Sequence, residues 1–142
     1  MRQCGGHRRR LLSRDRGASS LELSIVAPGL LLLIFLGVQT GLWLFGRNVA
    51  EQSAREAVSR LRVEVVTTTQ ASALAAASRR AENYVRGVGG SLVRDPAATS
   101  VMLTPTRARV EVTGTAVTLV PGLELTVRGA AEGDIEQFQV DS

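Results

Sequence analysis

An apolar run, LSIVAPGLLLLIFLGVQTGLWLFG, covers residues Leu23 to Gly46 of this chain. It contains 24 residues without a formal charge, and the next charge is that of Arg47. As a helix it would be about 36 Å long, which exceeds the roughly 30 Å hydrocarbon thickness of a bilayer. The apolar region of a secretory signal peptide is shorter, about 7 to 15 residues, and a small-residue cleavage site follows it. Because GLWLFGRN offers no such site, the sequence predicts a retained transmembrane helix.

Arginine residues on both sides of this span predict its orientation. Six Arg precede the span, all within residues 1–17, whereas four Arg follow it at a comparable distance, at positions 47, 55, 60 and 62. Since an excess of basic residues favours the cytoplasmic side, we expect the N-terminus in the cytoplasm and the C-terminal body outside it. The sequence therefore predicts three parts: an Arg-rich cytoplasmic leader over 1–17, a transmembrane helix over 18–46 and an extracytoplasmic domain over 47–142.

The composition favours neither nucleic-acid binding nor catalysis. The body has no net positive charge and few aromatic residues, whereas a nucleic-acid interface needs a basic surface interleaved with aromatic side chains. Cys4 and His7 are the only Cys and His of the chain, and both lie in the leader. The body therefore lacks the usual nucleophile–base pairs and the ligands of most zinc sites. We expect no enzymatic activity, no cofactor, no metal and no small-molecule substrate.

Two helices are expected in the first part of the body. Apolar or small residues recur every three or four positions as far as Val65, which predicts one long helix from about Ser20 to Val66 with an amphipathic second half. Three consecutive Thr in TTTQ, residues 67–70, predict its end. A second, shorter amphipathic helix follows and ends in a Gly-rich segment at 87–90. Its expected inward face consists of Leu74, Ala77, Ala81, Tyr84, Val85 and Val88.

After the helices the period changes to two, which predicts a small antiparallel sheet. RARVEVTGTAV, residues 107–117, places Ala108, Val110, Val112 and Gly114 on one face, and LELTVRG, residues 123–129, alternates in the same way. Pro121-Gly122 between them is a turn signal. Val117 is out of phase with the preceding alternation, which predicts a bulge near Gly114. Strands are also expected over 99–103 and 136–140, and the predicted class is α+β with one sheet face packed on helix.

Glu22 lies at the edge of the apolar run, where a charge is costly unless something compensates it. One interpretation is local. Ser19-Ser20-Leu21-Glu22 matches a capping box, in which Ser19 caps the helix and Glu22 reaches back to its backbone N–H. An acid in the first turn also suits the helix dipole. The other interpretation gives Glu22 a cationic partner.

The segment around Glu22 resembles the class III signal of type IV pilin-like proteins. Arg16-Gly17 is followed by ASSLE and then by an unbroken apolar helix. In that family a prepilin peptidase cuts after the Gly, and a Glu is the fifth residue of the mature chain; counted from Ala18, Glu22 is the fifth. RGASSLELSIVAPGLLLLIF with the downstream RNVAEQSAREAV is more narrowly similar to the TadE-like family, small pseudopilins of the tight-adherence (Tad or Flp) pilus systems. Leu23 departs from the aromatic residue that is typical after the Glu.

The resemblance implies a pilin-like fold and a minor pilin or assembly factor of a Tad-type pilus, processed after Gly17. The implied partners are the membrane, the prepilin peptidase, other pilins and inner-membrane pilus-assembly proteins. Cleavage would create a cationic α-amino group on Ala18, one helical turn from Glu22, which could pair with it in the same or an adjacent subunit. Gly37 and Gly41 form a GxxxG pattern that predicts a helix-packing face. The alternative is an unprocessed single-pass module that binds something outside the membrane.

Overall fold

The computed structural model describes the backbone of residues 15–135 and the side chains of residues 22–135 except Val66 and Thr67. The elements in chain order are the helices α1 (Asp15–Thr67) and α2 (Gln70–Tyr84), followed by the strands β1 (Val93–Thr104), β2 (Arg107–Ala116) and β3 (Leu125–Asp134). The chain forms two compact units, Met1–Gly37 and Val38–Ser142, and α1 contributes residues to both. The predicted class, a long helix, a short helix and a small antiparallel sheet, is confirmed.

Helix α1 begins earlier than the sequence predicted. It starts at Asp15 rather than near Ser20, and it continues through Pro28 to Thr67. No proline lies between Asp15 and Ser20, so a helical backbone is sterically allowed there, although Gly17 lowers the helix propensity of this segment. The predicted end is confirmed. Thr68 leaves the helix with its backbone N–H and its hydroxyl both donating to the carbonyl of Glu64, at 3.0 Å and 2.9 Å.

The second half of α1 buries one face, as its periodicity predicted. Residues spaced three and four apart contribute to the core; these are Val49, Ala50, Ala54, Ala57, Val58 and Leu61. On the exposed side, Glu51 pairs with Arg55 at 3.8 Å and Glu56 with Arg60 at 3.0 Å. Such exposed i,i+4 pairs stabilise a helix by only a few tenths of a kcal/mol each. Burial of the apolar face therefore does more than these pairs to hold α1 on the domain.

Helix α2 packs against the core through alanines. Ala73, Ala77 and Ala81 are buried, and Val85 continues this row in a π-helical turn over Val85–Gly89. A 3₁₀ turn over Gly90–Leu92 then leads into β1. The prediction that Val88 faces inward is wrong, since its side chain is half exposed. The wider π-helical turn changes the angular spacing of the residues after Val85, so the 3.6-residue period no longer applies there.

Polar contacts join the helices to each other and α2 to the sheet. Arg80 of α2 pairs with Glu64 of α1 at 2.6 Å. Ser78 donates to the hydroxyl of Ser100 on β1 at 2.9 Å, and a carboxylate oxygen of Glu82 accepts from the backbone N–H of Ala98 at 3.2 Å. These contacts fix the position of α2 over β1.

The three strands form an antiparallel sheet in the order β1-β2-β3. The predicted inward face of β2 is confirmed, since Ala108, Val110, Val112 and Gly114 are all buried. Strand β1 is longer than the predicted 99–103, and β3 runs five residues past the predicted end at Gly129. The fourth strand expected over 136–140 lies outside the described residues.

The predicted bulge near Gly114 exists, but its extra residue lies on β1. Arg94 pairs with Thr115 and Ala97 with Thr113, so β1 has one residue more than β2 across this interval. Asp95, with φ of 48°, takes up the irregularity next to Pro96. Strand β1 is an edge strand, where a proline at a bulge is tolerated. Strand β2 stays in regular register with β3 from Arg107 to Ala116.

The backbones of α1 and β3 come close together at Gly129. A Cβ atom on Gly129 would overlap the carbonyl carbon of Ala50 and the backbone nitrogen of Glu51. Gly133, further along the same face of β3, would meet the side chains of Val58 and Arg62. Because glycine has no side chain, it permits this approach, and the core between helix and sheet is correspondingly thin.

Candidate functional site on the long helix

The first half of α1 exposes apolar side chains on every side. Ten large apolar residues of this segment are each more than half exposed; they are Leu23, Ile25, Val26, Leu30, Leu31, Leu32, Leu33, Ile34, Phe35 and Leu36. A helix that is apolar all round belongs in a protein core or in a membrane. Since these side chains are not buried, the bilayer is the environment that suits them. Within the described residues, α1 is the one helix long and apolar enough to span a membrane.

Glu22 lies at the N-terminal edge of this segment, inside α1 and exposed. The capping-box interpretation is wrong for the full-length chain. An N-cap residue has a non-helical backbone, whereas Ser19 is the fifth residue of α1. The Glu22 carboxylate is therefore an exposed charge on the apolar helix, and its predicted docking role remains a prediction.

Gly17 and Ala18, the residues of the predicted cleavage site, lie in the first turn of α1. Their peptide bond therefore has a helical backbone in the uncleaved chain. Ala18 and Glu22 are four residues apart in one continuous helix, which is about 6 Å along the axis. The helix thus places the backbone nitrogen of Ala18 and residue Glu22 on the same side, about one turn apart.

Gly37 and Gly41 lie on open helix surface. A Cβ atom added to either one would meet nothing within 4 Å. Both glycines are exposed. No described residue of the chain occupies the surface beside them, and their predicted role in helix packing remains a prediction.

The outer face of the sheet carries charges in pairs. Arg107 contacts Asp134 at 3.0 Å, and Arg109 contacts Glu132 at 3.0 Å. The hydrogen bond from Arg107 to Asp134, together with the charge of that carboxylate, raises the pKa of Arg107 above its ordinary value. These ion pairs are exposed, so each contributes little to stability. Among the described residues, no group of three or more His, Cys, Asp or Glu side chains could hold a metal ion.

Gln39 is a structural residue that the sequence analysis missed. Its side chain is buried, and its amide oxygen accepts a hydrogen bond from the backbone N–H of Leu119 at 2.8 Å. One turn later, the indole N–H of Trp43 donates to the carbonyl of Thr126 at 3.3 Å. The sequence did contain a signal for this contact: Gln39 is a polar residue inside an apolar run, and such residues usually face a polar partner.

Over residues 15–135, these features define a chain with one helix that is able to span a membrane and a small α+β domain. The model of the TadE-like protein family matches residues 17–59, which cover most of α1. Over these residues the chain is similar to TadE-like proteins. Neither the search of curated proteins nor the search of solved structures finds a match.

Proposed function

We propose that this chain is a minor pilin or assembly factor of a Tad-type pilus and that a prepilin peptidase cleaves it after Gly17. The observation that carries the proposal is the family match, which begins at Gly17 and follows α1 to Ser59. The ten exposed apolar side chains of α1 support a membrane-embedded precursor. The protein is then a single-pass membrane protein with its N-terminus in the cytoplasm.

Glu22 is proposed to dock the subunit. An exposed carboxylate at the edge of an apolar helix is unfavourable in lipid without a cationic partner. Cleavage supplies such a partner, because an α-amino group ordinarily has a pKa of about 8, so that of Ala18 is mostly protonated at neutral pH. Pairing of Glu22 with the amino group of an adjacent subunit would fix the register between packed helices. Gly37 and Gly41, with open surface beside them, are proposed to let another helix approach closely.

The N-terminus of the protein from its native cell tests this function. We expect Edman sequencing or intact-mass measurement of the wild-type protein to give Ala18 as the first residue. Gly17→Leu should leave the full-length precursor, because a bulky leucine side chain then replaces glycine directly before the scissile bond. Gly29→Leu is the matched control: it changes a glycine of the same helix with open space around it, and it should be processed normally.

A mature protein that starts at Met1 in cells that contain the peptidase would contradict this proposal. That result would favour the alternative function, an unprocessed single-pass module that binds a partner outside the membrane. The anchoring of α1 in the membrane would stand in either case.

A further inference from the structure

The loop between β2 and β3, residues 117–124, exposes apolar side chains at its tip. Leu119 is 44% exposed, Val120 53% and Leu123 42%. Pro121 and Gly122 between them are also exposed, and Gly122 has φ of 82° in the turn. The sequence carries no charge between Glu111 and Glu124. Three large apolar side chains within five residues form an exposed patch, and such patches indicate an interaction surface.

This loop tip lies beside the uncharged part of α1. The backbone of Leu119 is hydrogen bonded to Gln39, and Thr126, just after the loop, to Trp43. Gln39 precedes Arg47, the first charged residue after the apolar run, by eight residues. At 1.5 Å per residue, the loop is attached to α1 about 12 Å before that charge. The exposed tip is therefore level with helix residues whose composition suits lipid rather than water.

The loop satisfies part of its own backbone hydrogen bonding. The Leu123 N–H donates to the carbonyl of Val120 at 3.2 Å, and the Thr118 hydroxyl donates to the carbonyl of Leu123 at 2.8 Å. Pro121 has no N–H to satisfy. Gln39 accepts from the N–H of Leu119. An irregular segment that meets lipid needs such partners, because an unsatisfied backbone group in an apolar medium costs several kcal/mol.

We propose that the β2–β3 loop is a second membrane contact of this protein. Leu119, Val120 and Leu123 insert into the boundary between headgroups and acyl chains of the leaflet from which α1 emerges. Gln39 and Trp43 hold the loop against the helix at that depth, and Trp43 is of the residue type enriched at membrane interfaces. The occupant is lipid, because Gln39, which holds the loop, lies within the uncharged segment of α1 that ends before Arg47.

The depth of the loop follows from this contact. The bilayer boundary lies near Gln39 and Trp43, so the β2–β3 loop is at the depth of the lipid headgroups. The proposal depends on the membrane anchoring that is part of the proposed function, but not on cleavage after Gly17 or on pilus association.

An environment-sensitive fluorophore in the full-length chain tests the contact. In a Cys4→Ser background, Val120→Cys is labelled with NBD and the protein is reconstituted into vesicles of phosphatidylcholine and phosphatidylglycerol. Two matched variants give the reference signals. Leu32→Cys, in the exposed apolar part of α1, is the lipid reference, and Thr99→Cys, on the exposed face of β1, is the water reference. A second set of vesicles contains lipid with a nitroxide high on the acyl chain.

We expect NBD at position 120 to emit with a blue shift and to lose most of its intensity in nitroxide vesicles, while NBD at position 99 does neither. If NBD at position 120 shows neither blue shift nor quenching while NBD at position 32 shows that α1 is in the bilayer, the loop lies in water. The proposal is then wrong, although α1 is anchored in the membrane. A blue shift at position 120 without quenching means that protein, not lipid, covers the loop, and it also overturns the proposal. If NBD at position 32 is neither blue-shifted nor quenched, the anchoring itself is wrong.

Discussion

Replacing Gly129 by alanine would add a methyl group where α1 and β3 are closest. The added Cβ would overlap backbone atoms of Ala50 and Glu51 and lie 2.7 Å from the carbonyl oxygen of Ala50. Backbone atoms cannot rotate away as a side chain can, so the helix must move off the sheet. Overpacking of a core typically costs about 1–3 kcal/mol, and this site belongs at the upper end. Alanine recovers about 0.5–1 kcal/mol through its smaller backbone entropy, which leaves a net loss of about 2 kcal/mol.

The unfolding of the full-length chain in detergent measures this loss. For a domain of about 100 residues, 1 kcal/mol corresponds to roughly 4–8 °C in Tm, so we expect Gly129→Ala to melt about 10 °C below the wild type. Trp43 is the single tryptophan and packs against the core, so its fluorescence reports on this domain. Gly87→Ala is the control, because a Cβ there meets nothing within 4 Å, and its Tm should equal or slightly exceed that of the wild type through the entropy gain alone.

Gly114→Ala tests whether the loss of stability depends on the kind of atom that the added Cβ meets. Its Cβ would lie 2.8 Å from Cγ1 of Val93, a side-chain atom that can shift, so the expected loss is smaller than at Gly129. A Gly129→Ala protein that melts within about 2 °C of the wild type would refute the close approach of the two backbones. Equal losses at Gly129 and Gly87 would refute the argument from contact distance.

Two further predictions concern orientation and docking. A reporter active only in the cytoplasm should be silent when fused after Ser142, because the Arg excess predicts a cytoplasmic N-terminus; strong activity would reverse the topology. Glu22→Gln should be inserted and cleaved but co-purify poorly with pilus partners, while Glu56→Gln, a control on the same helix outside the apolar run, should co-purify normally. Breaking a buried ion pair costs about 3–5 kcal/mol, and the loss of association free energy in Glu22→Gln should be smaller, because this pair lies near the membrane edge. Co-purification of Glu22→Gln at the wild-type level would rule out docking.

Strand β2 could be predicted from the sequence because its alternation is unbroken from Ala108 to Gly114. The second half of β3, GAAEGD, could not, because Gly and Ala have low β propensity and present no large apolar residues to form a pattern. Pairing with β2 and the close approach of α1 at Gly129 select the strand there. The start of β1 was missed for a related reason, since Asp95 and Pro96 form its bulge.

The apolar run of α1 could also be predicted from the sequence, because a long uncharged apolar segment is by its composition alone typical of a membrane-spanning helix. The contact between Gln39 and the β2–β3 loop was not, since it joins residues 80 positions apart. Local patterns carry no information on such a pairing. The start of α1 at Asp15 shows a similar limit. A capping motif is a local signal, and Ser19 matches it although the helix begins four residues earlier.

The core of the domain is rich in alanine, and this has an entropic consequence. Eight of the seventeen buried apolar residues among those described are alanine, including Ala54 and Ala57 of α1 and Ala77 and Ala81 of α2. Burying an alanine freezes no rotamers, whereas a leucine or isoleucine loses about 0.5–1 kcal/mol and a methionine up to about 2 kcal/mol. The helices therefore join the sheet with little loss of side-chain freedom, and their contacts have few alternative packings to choose from.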